Sequence, residues 1–512
     1  MKKIVIVVVV LVALLVVAPW GVGRLAEKRI DHGLEQLVKA APYLTVVEHK
    51  YTPGWFKSEH VVTFEVFGPW MKALNVKALE EAMSKQGDEP VEADVVDEES
   101  AANDAAPTDE AAPAEEPAPA EEPATPEPDL KLNEMMRFTV RNEVLHGPVL
   151  GFSGFGIARV DTHYVMDDKA RKEMEAFFGE KPLFEMRTRL GFLGGGTTTL
   201  KSEGRTIKPK DSKASVTWDT FKLALGYSSD ADEYEVDGKW PKLTLVEDGA
   251  KFVMTDMTMD GDGERFRGDL YDGDFEFAIE QISFVGKDGE AVEVNDAHYI
   301  VNSETKGDFT AMSAKMGFGK VKAKELSAQG IELKEFHYDV GVRRLHAETL
   351  QKIITGFKSL YGKPMTSTLE ANEMMFAPFK DYGMELLKYD PEFVIDRIGI
   401  VTPEGDGYIK GVIKLKGATA DDFAGSGMGL IGKIDADLTI DLSEKMIQKF
   451  PNGSTGAGAM VDAGYAKRSG DRLVCNIKFA RGQLTVNGKP QAIPGLGGPP
   501  AGAMEEGLTP QE

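Results

Sequence analysis

Tyr43-Leu-Thr-Val-Val-Glu-His-Lys-Tyr51, then Thr52-Pro53-Gly54-Trp55-Phe56-Lys57-Ser58, then Glu59 to Phe67: this stretch sets the expected fold. Two alternating runs rich in β-branched and aromatic residues flank a Pro-Gly pair. Proline presets the first central φ of a type II turn, and glycine supplies the positive φ of the second. The stretch predicts a β-hairpin that opens a larger antiparallel structure. Tyr51, Trp55 and Phe56 lie beside the turn, and the expectation is that they seal one end of a sheet.

Upstream of the hairpin, Ile4 to Gly23 carries no charge. A helix of that length spans roughly 30 Å, about one bilayer core. Lys2 and Lys3 precede it; Arg24, Lys28 and Arg29 follow it. Val16-Val17-Ala18-Pro19-Trp20 is a poor cleavage site, since proline sits at the expected cut with an indole after it. Residues 1–23 are therefore read as an uncleaved transmembrane anchor. From Arg24 to Ala41 the apolar spacing continues as a juxtamembrane helix, which Pro42 stops. With the first hairpin it makes up residues 24–84.

Downstream, residues 85–129 form an acidic insert rich in Ala, Pro and Glu. Gln86 to Asp129 holds sixteen Asp and Glu and no Lys or Arg, against a net charge of −24 for the chain. Such a composition buries too little surface to offset ordering entropy and is read as a disordered loop.

Residues 130–495 read as the main β-rich body. Short alternating runs recur through Lys201–Leu225, Lys242–Met259, Phe275–Val285 and Ile331–Val342. Helices are expected at Lys169–Gly179, Ala347–Tyr361 and Leu369–Leu387. Ile434, Ala436, Leu438, Ile440 and Leu442 alternate with polar neighbours, and Ser443 caps the helix after them. Leu473, Cys475, Ile477 and Phe479 give a late strand, and Val486-Asn487-Gly488-Lys489 a type I′ turn. Residues 496–512 are a loose tail. The expected fold is α+β: an N-terminal transmembrane helix, then one extended, mainly antiparallel sheet with helices packed on one side.

The hairpin residues also carry a resemblance. Tyr51-Thr-Pro-Gly54-Trp55-Phe56-Lys-Ser58 after an anchor and a short helix resembles the Tyr-x-x-Gly-Trp-Phe-x-Ser hallmark of the YdgA family of bacterial envelope proteins. His146-Gly147-Pro148 and the Leu484-Thr-Val-Asn487-Gly488 close are similar to two further family segments. The resemblance covers roughly residues 1–67 and 130–495. It implies an inner-membrane anchor, a periplasmic body and no established activity, and it brings no catalytic residues. The acidic insert departs from the family pattern.

Motifs for chemistry are scarce. Gly427-Met-Gly429-Leu-Ile-Gly432 matches a dinucleotide fingerprint but is read as opening a strand, the wrong context. Asp260-Gly-Asp262-Gly-Glu264 resembles a calcium loop but puts Arg265 and Tyr271 where glycine and glutamate belong, and it reads as a solvated hairpin turn. No paired-histidine metal spacing, nucleophile elbow or Walker loop occurs. The acidic balance argues against nucleic acid as a partner. The single Cys475 reads as a small buried residue, and the clustered methionines, Met254-Met257-Met259 among them, as core. No cofactor or metal is expected. The candidate structural or recognition residues are Tyr51, Gly54, Trp55, Phe56 and His146.

These features lead to the expectation of a non-enzymatic scaffold or interaction module of the envelope. Its partners would be the inner membrane, a lipid, an envelope protein or a second copy. The alternative is a lipid-handling sheet. A continuous apolar concavity along the sheet would favour the lipid reading.

Overall fold

The computed structural model describes residues 2–67, 137–166, 168–209, 213–323, 332–361, 368–419, 422, 428–450 and 453–492. The acidic insert at 85–129 and the tail at 496–512 lie outside these residues. The described strands form one 23-stranded sheet in which every pairing is antiparallel. That bears out the extended, mainly antiparallel sheet.

The sheet is a meander. It opens with β1 (Leu44–Thr52), β2 (Lys57–Val66), β3 (Arg137–His146), β4 (Ala158–Val165), β5 (Glu185–Leu190) and β6 (Gly196–Ser202), each paired to the next. A side hairpin follows, β7 (Arg205–Ile207) and β8 (Ser215–Trp218), before β9 (Phe221–Tyr227) pairs back onto β6. The longest strands come next: β10 (Glu233–Glu247), β11 (Ala250–Arg267), β12 (Leu270–Val285) and β13 (Ala291–Lys306). Then come β14 (Phe309–Phe318), the short β15 (Val321–Ala323), β16 (Glu335–His346), β17 (Glu392–Thr402), β18 (Gly405–Leu415) and β19 (Ile434–Ser443). The sheet closes with β20 (Lys467–Ser469), β21 (Arg472–Ala480), β22 (Gln483–Val486) and β23 (Lys489–Gln491). Asn487 and Gly488 both take positive φ between β22 and β23, as a type I′ turn requires.

Helix α1 runs without a break over Lys2–Ala40. Beyond residue 18 it is no free stalk. Ala26 is fully buried against Val144, Ile157, Ala158, Val160 and Leu190, with Val22, Ile30 and Tyr51 beside them. Among the described residues no helix is long and apolar enough to cross a membrane. The side chains of residues 1–18, most of the expected anchor, lie outside the described set.

The other helices are α2 (Asp168–Phe178), α3 (Ala347–Leu360), α4 (Thr368–Leu387), and the short α5 (Met428–Ile431), α6 (Glu444–Ile447) and α7 (Gly453–Asp462). Ser443 Oγ accepts from Met446 N at 3.3 Å, the N-cap expected from sequence. The helices do not all lie on one side. α1 packs on the apolar face of the sheet, whereas α2 stands over the charged face, where Asp161, His163 and Arg187 line a cavity with Met174 and Phe178.

Two sequence expectations are corrected in the long strands. Asp260-Gly-Asp262-Gly-Glu264 is not a turn but the interior of β11. Its glycines face the apolar side, because Tyr234 and Phe275 fill the space above them. A Cβ on Gly263 would lie 2.4 Å from the Tyr234 ring, and one on Gly261 3.1 Å from that of Phe275. The dinucleotide-like Gly429 lies in the one-turn α5 ahead of β19, still without the strand-then-helix context that motif needs.

Candidate functional site

A backbone bolt stands at the mouth of the first hairpin. His146 is buried at the end of β3. Its Nε2 lies 2.8 Å from Ser58 Oγ and its Nδ1 3.1 Å from the Trp55 carbonyl oxygen. Ser58 Oγ also accepts from Gly54 N at 3.1 Å. A carbonyl oxygen can only accept, so Nδ1–H donates to Trp55 O and Nε2 faces the Ser58 hydroxyl. Such a serine–histidine pair can in principle activate a nucleophile. Here the third partner is a neutral carbonyl, both side chains are buried, and α1 crosses directly above. A Cβ on Gly23 would lie 2.4 Å from the His146 ring. The arrangement ties the turn, β3 and α1 together.

Gly54 does not take the positive φ that a type II turn demands. Its glycine is required by close approach instead, since a Cβ there would lie 2.0 Å from the Lys57 carbonyl oxygen. Trp55 and Phe56 do not seal the sheet, as the sequence suggested; they are 49% and 53% exposed. Tyr51 is half-buried against α1. Burial raises its hydroxyl pKa, with the nearby Ser58 hydroxyl acting in the opposite direction.

Next to the bolt lies a polar chain that sequence reasoning missed. His60, Asn142 and Thr162 face one another across β2, β3 and β4. Thr162 Oγ1 donates to Asn142 Oδ1 at 2.7 Å, which turns the amide nitrogen toward His60 Nδ1 at 2.9 Å. The His60 proton then sits on Nε2, which has no partner among the described residues. Burial, with the nearby His49 ring second, pushes the His60 pKa down to about 4.

The same cross-strand row leads out of this polar patch. From Tyr51, His60, Asn142 and Thr162 it passes to Met186, Leu200, Leu223, Gly238 and Met259. It continues through Phe277, Tyr299, Met316, Tyr338, Ile398, Ile409 and Ile440 to Cys475. Residues directly opposite in a ladder share a face, so this is one continuous line. Two parallel rows flank it on one side. One includes Val236, Phe275, Val301, Val340 and Leu438; the other includes Tyr234, Met312, Val342, Phe393 and Phe479. From β9 to β21 none of the three rows contains Lys, Arg, Asp or Glu. At about 4.8 Å per strand and 6.8 Å per two residues, the strip is roughly 50 Å long and 14 Å wide.

On the other side of the central row, Met254, Met257 and Ile279 are buried with Trp240, Leu243 and Ile282. Asp256 and Asp296 adopt positive φ where the pairing of β10 to β13 skips a position. That irregularity keeps Leu243, Met254 and Ile282 packed with Trp240, Met257 and Ile279 rather than turning them to the opposite face. The methionines here are core, as expected from sequence. Along the strip itself the large side chains stay open: Tyr299 is 41% and Met316 46% exposed, and Met312, Tyr338 and Phe393 are exposed too.

The reverse face is charged. Asp237, Asp260 and Glu276 lie side by side, as do Lys201, Lys222 and Lys239. The cavity under α2 has a volume of about 1270 Å³, but Asp161 there is already satisfied by Arg159 at 2.9 Å and Arg187 at 2.6 Å. These two arginines hold its carboxyl below the usual range against the opposing effect of burial. No group of three or more potential metal ligands occurs among the described residues. Cys475 is buried in β21, and burial raises its thiol pKa.

A family model described as "Bacterial protein of unknown function (DUF945)" matches residues 1–494, and the chain belongs to that family. No curated protein and no solved structure matches it.

Proposed function

We propose that this chain is a single-pass, inner-membrane-anchored periplasmic envelope protein without catalytic activity, and that the exposed apolar strip of its sheet holds the acyl chains of lipids. The observation that carries this reading is the three-row strip from β9 to β21, free of charge and lined by exposed Tyr299, Met312, Met316, Tyr338 and Phe393. Exposed apolar patches of this extent mark interaction surfaces. A protein partner is usually oriented by polar and charged groups at the rim of its interface; the strip is uncharged and mostly aliphatic, aromatic and thioether surface, which suits hydrocarbon. Its length exceeds the roughly 15 Å of one acyl chain in half a bilayer core several times over, leaving room for chains side by side. The uncharged Ile4–Gly23 run at the start of α1 supports the anchor, and the strip's own row begins at the strands that pack on α1.

The test is native mass spectrometry of the full chain extracted from membranes. Wild type should carry phospholipid, and Tyr299→Lys with Met316→Lys should release it while circular dichroism stays unchanged. Lipid-free wild type running as a stable dimer or with a protein partner would favour the scaffold reading, with the strip as a protein interface.

A further inference from the structure

The three turns nearest the point where α1 leaves the sheet share an unusual surface. They join β1 to β2, β3 to β4 and β5 to β6, so the antiparallel order puts them at one end of the sheet. Backbone hydrogen bonds knit them together: His146 N to Phe56 O at 2.9 Å, and Ile157 N to Leu190 O at 2.8 Å. α1 meets this end at Val22 and Gly23, and its preceding turns carry Ile4–Ala18. At the tips of the turns the large apolar side chains point outward: Trp55, Phe56, Phe155, Phe192 and Leu193, the last 94% exposed and Phe155 70%. The opposite end also exposes apolar side chains, Phe284, Val285, Tyr164 and Phe184 among them, but the tip of its β12–β13 turn is the polar Gly286-Lys-Asp-Gly289.

We propose that this rim of turns is a membrane-docking surface, inserted into the interfacial layer of the same bilayer that α1 enters. The proposal rests on the anchor reading above. Aromatic rings settle at the depth of lipid headgroups, and Trp20 is exposed on α1 about one turn before Gly23. A rigid rim held by a buried core, with Leu150 and Ile157 fully enclosed beneath it, inserts its tips without rearranging. Docking would fix the body upright on the bilayer rather than leave it swinging on its helix. The apolar row that begins at Tyr51 would then start within reach of lipid.

The test uses full-length protein with Cys475→Ala, carrying single cysteines at Phe155→Cys, Leu193→Cys or Asp288→Cys and labelled with an environment-sensitive fluorophore. The protein is reconstituted into phosphatidylethanolamine–phosphatidylglycerol vesicles. The expected result is a blue-shifted emission at positions 155 and 193, quenched several-fold by spin-labelled lipid, with position 288 unaffected. Protein that floats with the vesicles but shows water-like emission at 155 and 193 would overturn docking and leave the anchor standing. Protein that does not float with the vesicles would overturn both readings. Emission already blue-shifted before vesicles are added, in a chain running as a dimer, would overturn docking in favour of a second copy covering the rim.

Discussion

One sheet, one register and one set of rows serve two regions that behave as opposites. In the first, β1 to β5, the part of the apolar face under α1 is filled: Ala26, Val144, Ile157 and Ala158 have no exposure, and even the polar His60 and Asn142 are buried. In the second, β12 to β17, the same rows continue with larger side chains, yet Tyr299, Met316, Tyr338 and Phe393 remain open. The difference lies in the cover, not in the strand pattern. A pleated face can be apolar because it is core or because it meets something else, and alternation alone does not distinguish the two.

The strongest way to break this comparison is to truncate one branched aliphatic side chain to alanine in each region. Ile157→Ala should cost about 2–5 kcal/mol, the range for a buried aliphatic that leaves a cavity. Val301→Ala on the open strip should cost below about 1 kcal/mol, since its surroundings collapse or are already wet. Urea melts of the two variants measure both. Equal losses would mean that the strip is covered and the contrast is illusory.

A second prediction concerns pH and singles out the filled region. The His60 pKa is depressed to about 4 by burial, against the ordinary histidine value of 6.5. The unfolded chain therefore binds a proton that the native chain refuses between those two pH values. Stability is lost as pH falls from about 6.5 to about 4, by up to about 3 kcal/mol for this group. Above pH 7 the group contributes no pH dependence. Thermal melts from pH 7.5 to 4.5 should show the decline, and His60→Gln should flatten part of it. A variant that keeps the full wild-type slope would mean that His60 is not the group responsible.

Much of this was legible in the sequence, and what was not has definite causes. The alternation at Ile434–Leu442, the Ser443 cap and the Asn487-Gly488 turn follow local rules and hold in the structure. The fold class followed because those signals recur along the chain. Gly54 was misread because close backbone approach and positive φ both demand glycine, and only the coordinates separate them. Gly261 and Gly263 read as a turn because the rings over them, Phe275 and Tyr234, come from neighbouring strands. Of the candidate residues, His146 is the centre of a buried network, whereas Trp55 and Phe56 are turned outward. His60, Asn142 and Thr162 were missed because their alignment depends on register across three strands. The open strip depends on register across many more.

A third prediction tests the bolt that joins the first region to α1. Ser58→Ala removes the hydroxyl between His146 Nε2 and Gly54 N, leaving the buried imidazole and the part-buried turn amide without that partner. The expected cost is roughly 1–3 kcal/mol. Ser58→Thr keeps the hydroxyl and should recover part of it. Hydrogen exchange should locate the loosening in the 53–56 turn and β3, not in the long strands. Uniform loosening of the whole sheet would show that the bolt is not local.

The smallest expected effect is the most informative about the open region. Met316 and Lys315 are neighbours on β14, one on the apolar strip and one on the charged face. Met316→Lys puts a cation into a row of ring and thioether surface. If that row were covered core, burying an unpaired charge would be strongly destabilising. With the side chain 46% exposed, the ammonium reaches water along its own stem, and the stability change should stay within about 0.5 kcal/mol. Lys315→Met, the mirror substitution on the charged face, should be equally mild. The two then differ only in function: Met316→Lys lowers the lipid recovered with the protein, and Lys315→Met does not. A multi-kilocalorie loss for Met316→Lys in lipid-free protein would show that the protein itself covers the strip. An equal drop in lipid for both variants would show that lipid is held elsewhere on the sheet.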